Sequence, residues 1–233
     1  MVQALFFDVF GTVVDWRTSI VRELAAFGAR QGAGADWETM ADHWRGLYQP
    51  AMERIRSGSR GYVKLDTLHR ENLDATLDAY GISDVTEGVR DDLSRAWHRL
   101  DPWPDSVPGL ARLRTRYLLA PVSNGNISLM VHLARHGNLP WDTVLGSEIA
   151  HDYKPKPAVY LASAAALSLA PEECMMVAAH NDDLAAARAC GLRTGFVSRP
   201  AEHGAGQTTD LAPESDWDVI ADDFLDLADK LGT

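Results

Sequence analysis

The stretch LFFDVFGTVVDW, Leu5 to Trp16, places a carboxylate, a glycine turn and a hydroxyl directly behind a short apolar run. Val2 to Phe7 is mostly apolar, β-prone and closed by a turn signal, which predicts a central strand of a parallel sheet covered on both faces. An aspartate at the C-terminal end of such a strand lies at the edge where open α/β sheets bind ligands. Asp8 is therefore a candidate nucleophile. Gly11 permits a tight turn, and Thr12 offers a hydroxyl that can orient the carboxylate. Strand termination and helix capping are the competing use of the same aspartate and threonine.

The rest of the chain sets bounds on what Asp8 could serve. At 233 residues it accommodates one α/β domain or a core with a small second domain, and 46% hydrophobic with 24% charged residues is the composition of a globular protein. A net charge of −11 repels nucleic acid and anionic membrane, so an anionic substrate would have to be drawn by local basic residues. A small-molecule partner is expected, with neither nucleic acid nor membrane. Cys174 and Cys190 have no metal-binding or C-x-x-C spacing, which fits a reducing compartment. The first strand begins almost at Met1, and no apolar run approaches about 18 residues, so a cytoplasmic protein is expected. The oligomeric state stays open, a homodimer included.

From about Asp15 to Leu100 the pattern is helical, with Gly32, Gly34, Gly58, Gly61 and Gly81 as punctuation. A proline-rich connection, Asp101-Pro-Trp-Pro followed by Val107-Pro-Gly, marks the return to the core. Beyond it, helices are expected at Leu110 to Thr115, Ile127 to His136, Pro157 to Leu167, Asp183 to Cys190 and Asp223 to Leu231. Strands are expected in YLLAPVSNG and at Thr143 to Gly146, Cys174 to Ala178 and Thr194 to Val197. Glu202 to Pro213 reads as a surface loop. The alternation implies an α/β fold: a doubly wound parallel-sheet (Rossmann-like) core of residues 1–14 and 100–233, with a helical cap of residues 15–99 inserted after the first strand.

Ser123-Asn124-Gly125 closes the second apolar strand, where a hydroxyl and an amide can donate to an anion beside Asp8 or merely form a turn. Lys154-Pro155-Lys156-Pro157 puts two lysines before a helix, and Asp182 and Asp183 sit at another helix start, where the macrodipole favours acids. Phe10, Trp44, Tyr62 and Leu65 could form a dry pocket wall or plain core.

These stretches, in this order, resemble the four motifs of the haloacid dehalogenase superfamily, in the form found in its L-2-haloacid, or (S)-2-haloacid, dehalogenases. Superfamily phosphatases carry Asp-x-Asp-x-Thr. Here the pattern is Asp8-Val9-Phe10-Gly11-Thr12, and a phenyl ring cannot act as general acid or base. Lys154 and Tyr160 match the dehalogenase pattern K-P-x-x-x-x-Y, whose lysine faces the nucleophile; such a cation typically lowers a carboxylate pKa by about 1 to 3 units. Counting back eight residues from Gly191 gives Asp183, and four more gives Ala179, where metal-dependent relatives carry an aspartate. The loss of a carboxylate ligand argues against magnesium.

The resemblance implies the catalytic residues Asp8, Thr12, Lys154 and Asp183, with Asp183 paired to Lys154 and positioning or activating water. It implies a substrate and halide pocket of Phe10, Arg45, Ser123, Asn124, Tyr160 and His180, with Arg54, Arg56 and Arg60 as rivals of Arg45 for the halide. Ala178, His180 and Asp182 stand where the best-known dehalogenases have serine, asparagine and tryptophan, so His180 would supply the missing hydrogen bond. The implied reaction is metal-free and cofactor-free hydrolysis of a short 2-haloalkanoic acid through an aspartyl ester, releasing halide. A metal-dependent phosphatase and a hydrolase opening a strained ring beside a carboxylate, such as azetidine-2-carboxylate, are the alternatives.

Overall fold

The computed structural model describes residues 1–32 and 34–233. The chain begins with β1 (Ala4–Phe7), turns into the short β2 (Val14–Asp15) and continues through helices α1 (Trp16–Gln31), α2 (Trp37–Gly46), α3 (Tyr48–Arg56), α4 (Leu65–Ala79) and α5 (Glu87–Ser94). β3 (Asp101–Pro102) then pairs antiparallel with β2, so the helical segment leaves beside the point where it entered. The remainder alternates: α6 (Ser106–Leu113), β4 (Leu118–Ser123), α7 (Ile127–Gly137), β5 (Leu145–Gly146), α8 (Ser147–Ala150), α9 (Pro157–Ala166), β6 (Cys174–Ala178), α10 (Asn181–Ala189), β7 (Arg193–Val197), β8 (Val219–Ala221) and α11 (Phe224–Lys230). Six strands form one sheet of order β5-β4-β1-β6-β7-β8, with every neighbouring pair parallel. This is the doubly wound α/β core expected from the sequence.

β1 owes its central place to having no face that tolerates water. Leu5 and Phe7 point into the apolar cluster that includes Leu110, Leu133 and Phe224. Ala4 and Phe6 point the opposite way, among Val159, Tyr160 and Leu184. The period-two alternation of a strand thus feeds two cores from one short segment, and each fully buried Leu or Phe contributes roughly 1.5 to 3 kcal/mol. Side chains of α1, α2, α3, α4 and α5 join the same cluster as Leu5 and Phe7, so the helical segment is packed to the sheet side through Phe10, Val13, Val14 and Trp97. Asp15 caps α1 by accepting from the Thr18 N–H at 3.0 Å, and Gly32 closes it in the left-handed conformation.

Several elements depart from the sequence reading, β1 and β5 each starting two residues later than expected among them. α6 starts at Ser106 rather than Leu110, because Pro108 falls in a first turn that needs no proline N–H and the Ser106 hydroxyl donates to the Val13 carbonyl. The Asp101-Pro102 connection, read as a stiff linker, is half of the β2–β3 ribbon. α10 begins at Asn181, two residues early, because Asp210 accepts from its backbone N–H at 2.8 Å. β8 is absent from the sequence reading, being too short to show alternation. Among the described residues no helix is long and apolar enough to cross a membrane.

Candidate active site

Asp8 leaves β1 still in register, since its N–H donates to the Val177 carbonyl at 3.0 Å. The carboxylate therefore emerges at the C-terminal edge of the sheet between β1 and β6. The next turn requires Gly11, whose φ is +91°. A β-carbon there would also collide with the Glu202 carboxylate, so the glycine answers a conformational and a steric demand together. The Thr12 hydroxyl donates to Asp8 Oδ2 at 2.9 Å and is itself fixed by accepting from the Ala179 N–H at 2.9 Å.

Lys154 reaches the other oxygen. Its backbone N–H donates to Asn124 Oδ1 at 2.8 Å, and its Nζ donates to Asp8 Oδ1 at 2.8 Å and to Asp183 Oδ2 at 2.5 Å. Tyr160 completes the chain by donating its hydroxyl to Asp183 Oδ1 at 2.5 Å. Burial opposes the Asp8 charge, but the Lys154 ammonium and His180 overcome it and hold the group well below the usual carboxylate range. Burial likewise opposes the Lys154 charge, yet Asp183 and Asp8 raise its pKa. Asp183 goes the other way: burial and the neighbouring Asp8 charge outweigh Lys154 and raise its pKa. The two carboxylates that share one ammonium are thus driven apart, one staying ionised and the other being the readier proton acceptor.

His180 touches Asp8 directly, with Nδ1 3.2 Å from Oδ2 and Nε2 2.8 Å from Glu202 Oε2. Glu202 is 1% exposed and accepts from the Trp16 indole N–H at 3.0 Å. The sequence reading put Glu202 at the start of a surface loop. The structure corrects this: the loop's first residue is drawn under the site because Trp16 and His180 offer it donors. No periodicity in the sequence marks such a residue, and Trp16 and Tyr48 were missed for the same reason.

Asp8, Phe10, Trp16, Arg45, Tyr48, Asn124, Lys154, His180, Asp183 and Glu202 line one cavity of about 1080 Å³. The helical segment walls one side. Arg45 stands over the Tyr48 ring at 4.1 Å and the Trp16 ring at 5.2 Å, and its buried Nη1 has no hydrogen-bond partner among the described residues. A guanidinium with a desolvated, spare donor amid aromatic rings is suited to an anion. Its rivals are paired or exposed. Arg56 donates to Glu53, Gln49 and the Lys154 carbonyl, Arg60 forms a two-pronged pair with Glu71, and Arg54 is exposed.

Asn124 faces the cavity by its amide, because its carbonyl oxygen already accepts from Lys154 and Ser147. Two of the expected pocket residues lie elsewhere. Ser123 is fully buried and spends its hydroxyl accepting from the Gly125 N–H, stabilising the turn. Tyr160 is also fully buried and contacts Asp183, behind the pocket. His180 does face the cavity, and its partners are carboxylates.

Magnesium, which serves phosphatases of this architecture, does not suit these residues. An ammonium already bridges Asp8 and Asp183. The positions that would complete an oxygen cage hold Phe10 and Ala179, both buried and without a side-chain oxygen.

Comparison with known proteins agrees with this architecture. A family model described as haloacid dehalogenase-like hydrolase matches residues 2–191. (S)-2-Haloacid dehalogenase 1 of Pseudomonas sp. (strain CBS-3) is 28% identical over 201 residues, covering 85% of each chain. (S)-2-Haloacid dehalogenase 4A of Burkholderia cepacia is 27% identical over 226 residues, 91% of this chain and 94% of that one. Among solved structures, the defluorinating L-2-haloacid dehalogenase Rha0230 superposes with a TM-score of 0.98 at 51% identity, covering 100% of this chain and 96% of that one. The L-2-haloacid dehalogenase PA0810 superposes at 0.97 with 46% identity, covering 100% and 99%. With the family model spanning most of its length, the chain belongs to the haloacid dehalogenase-like hydrolases.

Proposed function

We propose that this protein hydrolyses short (S)-2-haloalkanoates or haloacetates to the 2-hydroxy acid and halide through an ester on Asp8. The observation that carries the reading is a carboxylate held ionised by Lys154 at the floor of a cavity whose aromatic wall holds Arg45, with a buried, unsatisfied Nη1. The names of the similar proteins point to the same substrate class. Asp8 attacks the α-carbon in line and the halide departs towards Arg45 and the Asn124 amide, whose donors favour charge as it develops. Phe10, Trp16 and Tyr48 exclude water from that side, and residues 15–99 act as the cap that supplies Trp16 and Tyr48. Asp183 then receives a proton from the water that attacks the Asp8 acyl carbon.

A single turnover in ¹⁸O-water tests this. The label is expected on the Asp8 carboxylate, with the first hydroxy acid unlabelled and L-2-chloropropionate giving D-lactate. Label in the first product with Asp8 unlabelled would leave Asp8 as a general base at most. Running fluoroacetate beside chloroacetate reads the halogen range.

A further inference from the structure

The two oxygens of Asp8 are served unequally. Oδ1 meets one donor, the Lys154 ammonium, and keeps a lone pair for attack. Oδ2 meets two, the Thr12 hydroxyl at 2.9 Å and His180 Nδ1 at 3.2 Å. Because the Ala179 N–H donates to Thr12 Oγ1, the hydroxyl proton is directed at Oδ2. Behind His180, Nε2 lies 2.8 Å from Glu202 Oε2, and the Trp16 indole holds the other Glu202 oxygen at 3.0 Å. An imidazole between two carboxylates can satisfy both only when each nitrogen carries a proton.

We infer that Thr12 and His180 form the oxyanion site for hydrolysis of the Asp8 ester, and that Glu202 is the positioning residue that keeps His180 oriented and doubly protonated. The inference rests on the dehalogenation reading above. In the first half-reaction Oδ1 forms the bond to the α-carbon, the carbon–halogen bond breaks and its electron pair leaves with the halide. Oδ2 is then the ester carbonyl oxygen. Water oxygen next bonds to Asp8 Cγ, one of its protons passes to Asp183, and the carbonyl pair moves onto Oδ2, where Thr12 and His180 meet the new charge. On collapse the pair returns, the Cγ–Oδ1 bond breaks, and the departing alkoxide takes a proton from Lys154 Nζ. Lys154 recovers that proton from Asp183, which it already contacts. The second water proton leaves Asp8 for solvent, so haloacid and water give hydroxy acid, halide and one proton.

The groups around His180 support this assignment. Burial works against its charge, but Glu202 and Asp8 hold its pKa well above the ordinary value. Arg45 and His203 act on Glu202 from the far side, and Lys154 and Asp183 stand beyond Asp8. Once Asp8 is esterified its charge is gone, and Glu202 is the carboxylate left to retain the proton. Where Asp183 is ionised, activity should therefore hold below the raised His180 pKa and be lost as the pH rises through it.

The experiment uses the full chain with chloroacetate and compares first-turnover halide release, by quenched flow, with the fraction of Asp8 ester, by intact-protein mass spectrometry. His180→Ala is expected to slow ester hydrolysis by about 10² to 10³ and halide release less, so that halide appears in a burst and the ester accumulates. His180→Asn, whose amide donates without a proton to lose, should restore part of the rate and abolish the alkaline limb. Glu202→Gln should move that limb to lower pH, together with the His180 ring titration followed by ¹⁵N NMR. Equal slowing of both steps in His180→Ala, or a ring titration and alkaline limb unchanged in Glu202→Gln, would overturn the inference. If His180→Ala unfolds, the Asn and Gln variants decide it. If the wild type forms no Asp8 ester, the dehalogenation reading itself fails; if it forms one that these variants hydrolyse normally, only the oxyanion assignment does.

Discussion

At the scale of residues, the site depends on which of two similar side chains is pulled inward. Lys154 and Lys156 are separated by one proline, yet Lys154 is buried between Asp8 and Asp183 while Lys156 is exposed. Lys154→Ala should lower the dehalogenation rate by about 10² or more, through loss of a preorganised charged partner, and Lys156→Ala should leave it near wild type. Equal effects in parallel assays would dismiss Lys154 as the partner of Asp8. The same logic separates the arginines. Arg45→Ala should impair turnover with an unchanged circular dichroism spectrum, whereas exposed Arg54→Ala should show nothing, since solvated charges contribute little. Wild-type kinetics in the Arg45 variant would leave the halide without its proposed cation.

At the scale of elements, the catalytic turn is braced from behind by an ion pair that no motif contains. Arg199, in the chain after β7, donates from Nε to the Thr12 carbonyl at 2.9 Å, and its two Nη atoms meet Asp105 at 2.9 and 2.7 Å. Asp105 also accepts from the Phe224 N–H at the start of α11, so one carboxylate joins α6, α11 and the Gly11–Thr12 turn. Arg199 is buried and Asp105 partly so; breaking a buried pair costs about 3 to 5 kcal/mol, so Asp105→Asn should lower the unfolding free energy obtained from urea titration at neutral pH by up to that amount. Burial opposes the Asp105 charge, but Arg199 holds its pKa below the ordinary aspartate value of 3.8. A depressed acid stabilises the fold above its unfolded pKa and loses that contribution as pH falls through the folded value. The gap between wild type and Asp105→Asn should accordingly narrow as the pH drops below 3.8. A gap independent of pH would show that the pair does not carry the difference.

At the scale of the whole molecule, an ammonium bridges Asp8 and Asp183, and buried Phe10 and Ala179 offer no side-chain oxygen to a divalent cation beside them. Halide release should survive exhaustive chelation, and activity returning only with added magnesium would refute this. Phe10→Asp with Ala179→Asp should raise magnesium affinity, measured calorimetrically, without raising halide release. The strand–turn logic of LFFDVFGTVVDW was legible without coordinates, because an apolar run ending in Asp, Gly and Thr can be satisfied only by a buried strand that opens into a polar turn. The alternation of later elements likewise fixed a parallel α/β sheet, since periodicity is local and survives in the chain. Tyr160 and Ser123 were placed in the pocket by the family resemblance, but only packing decided that they contact Asp183 and a turn. Glu202 lies 194 residues from Asp8 in the chain, and its burial depends on donors from Trp16 and His180 that no local pattern records. A group buried by partners distant in sequence has no signature of its own, because the free energy that holds it arises only when the fold brings those partners together.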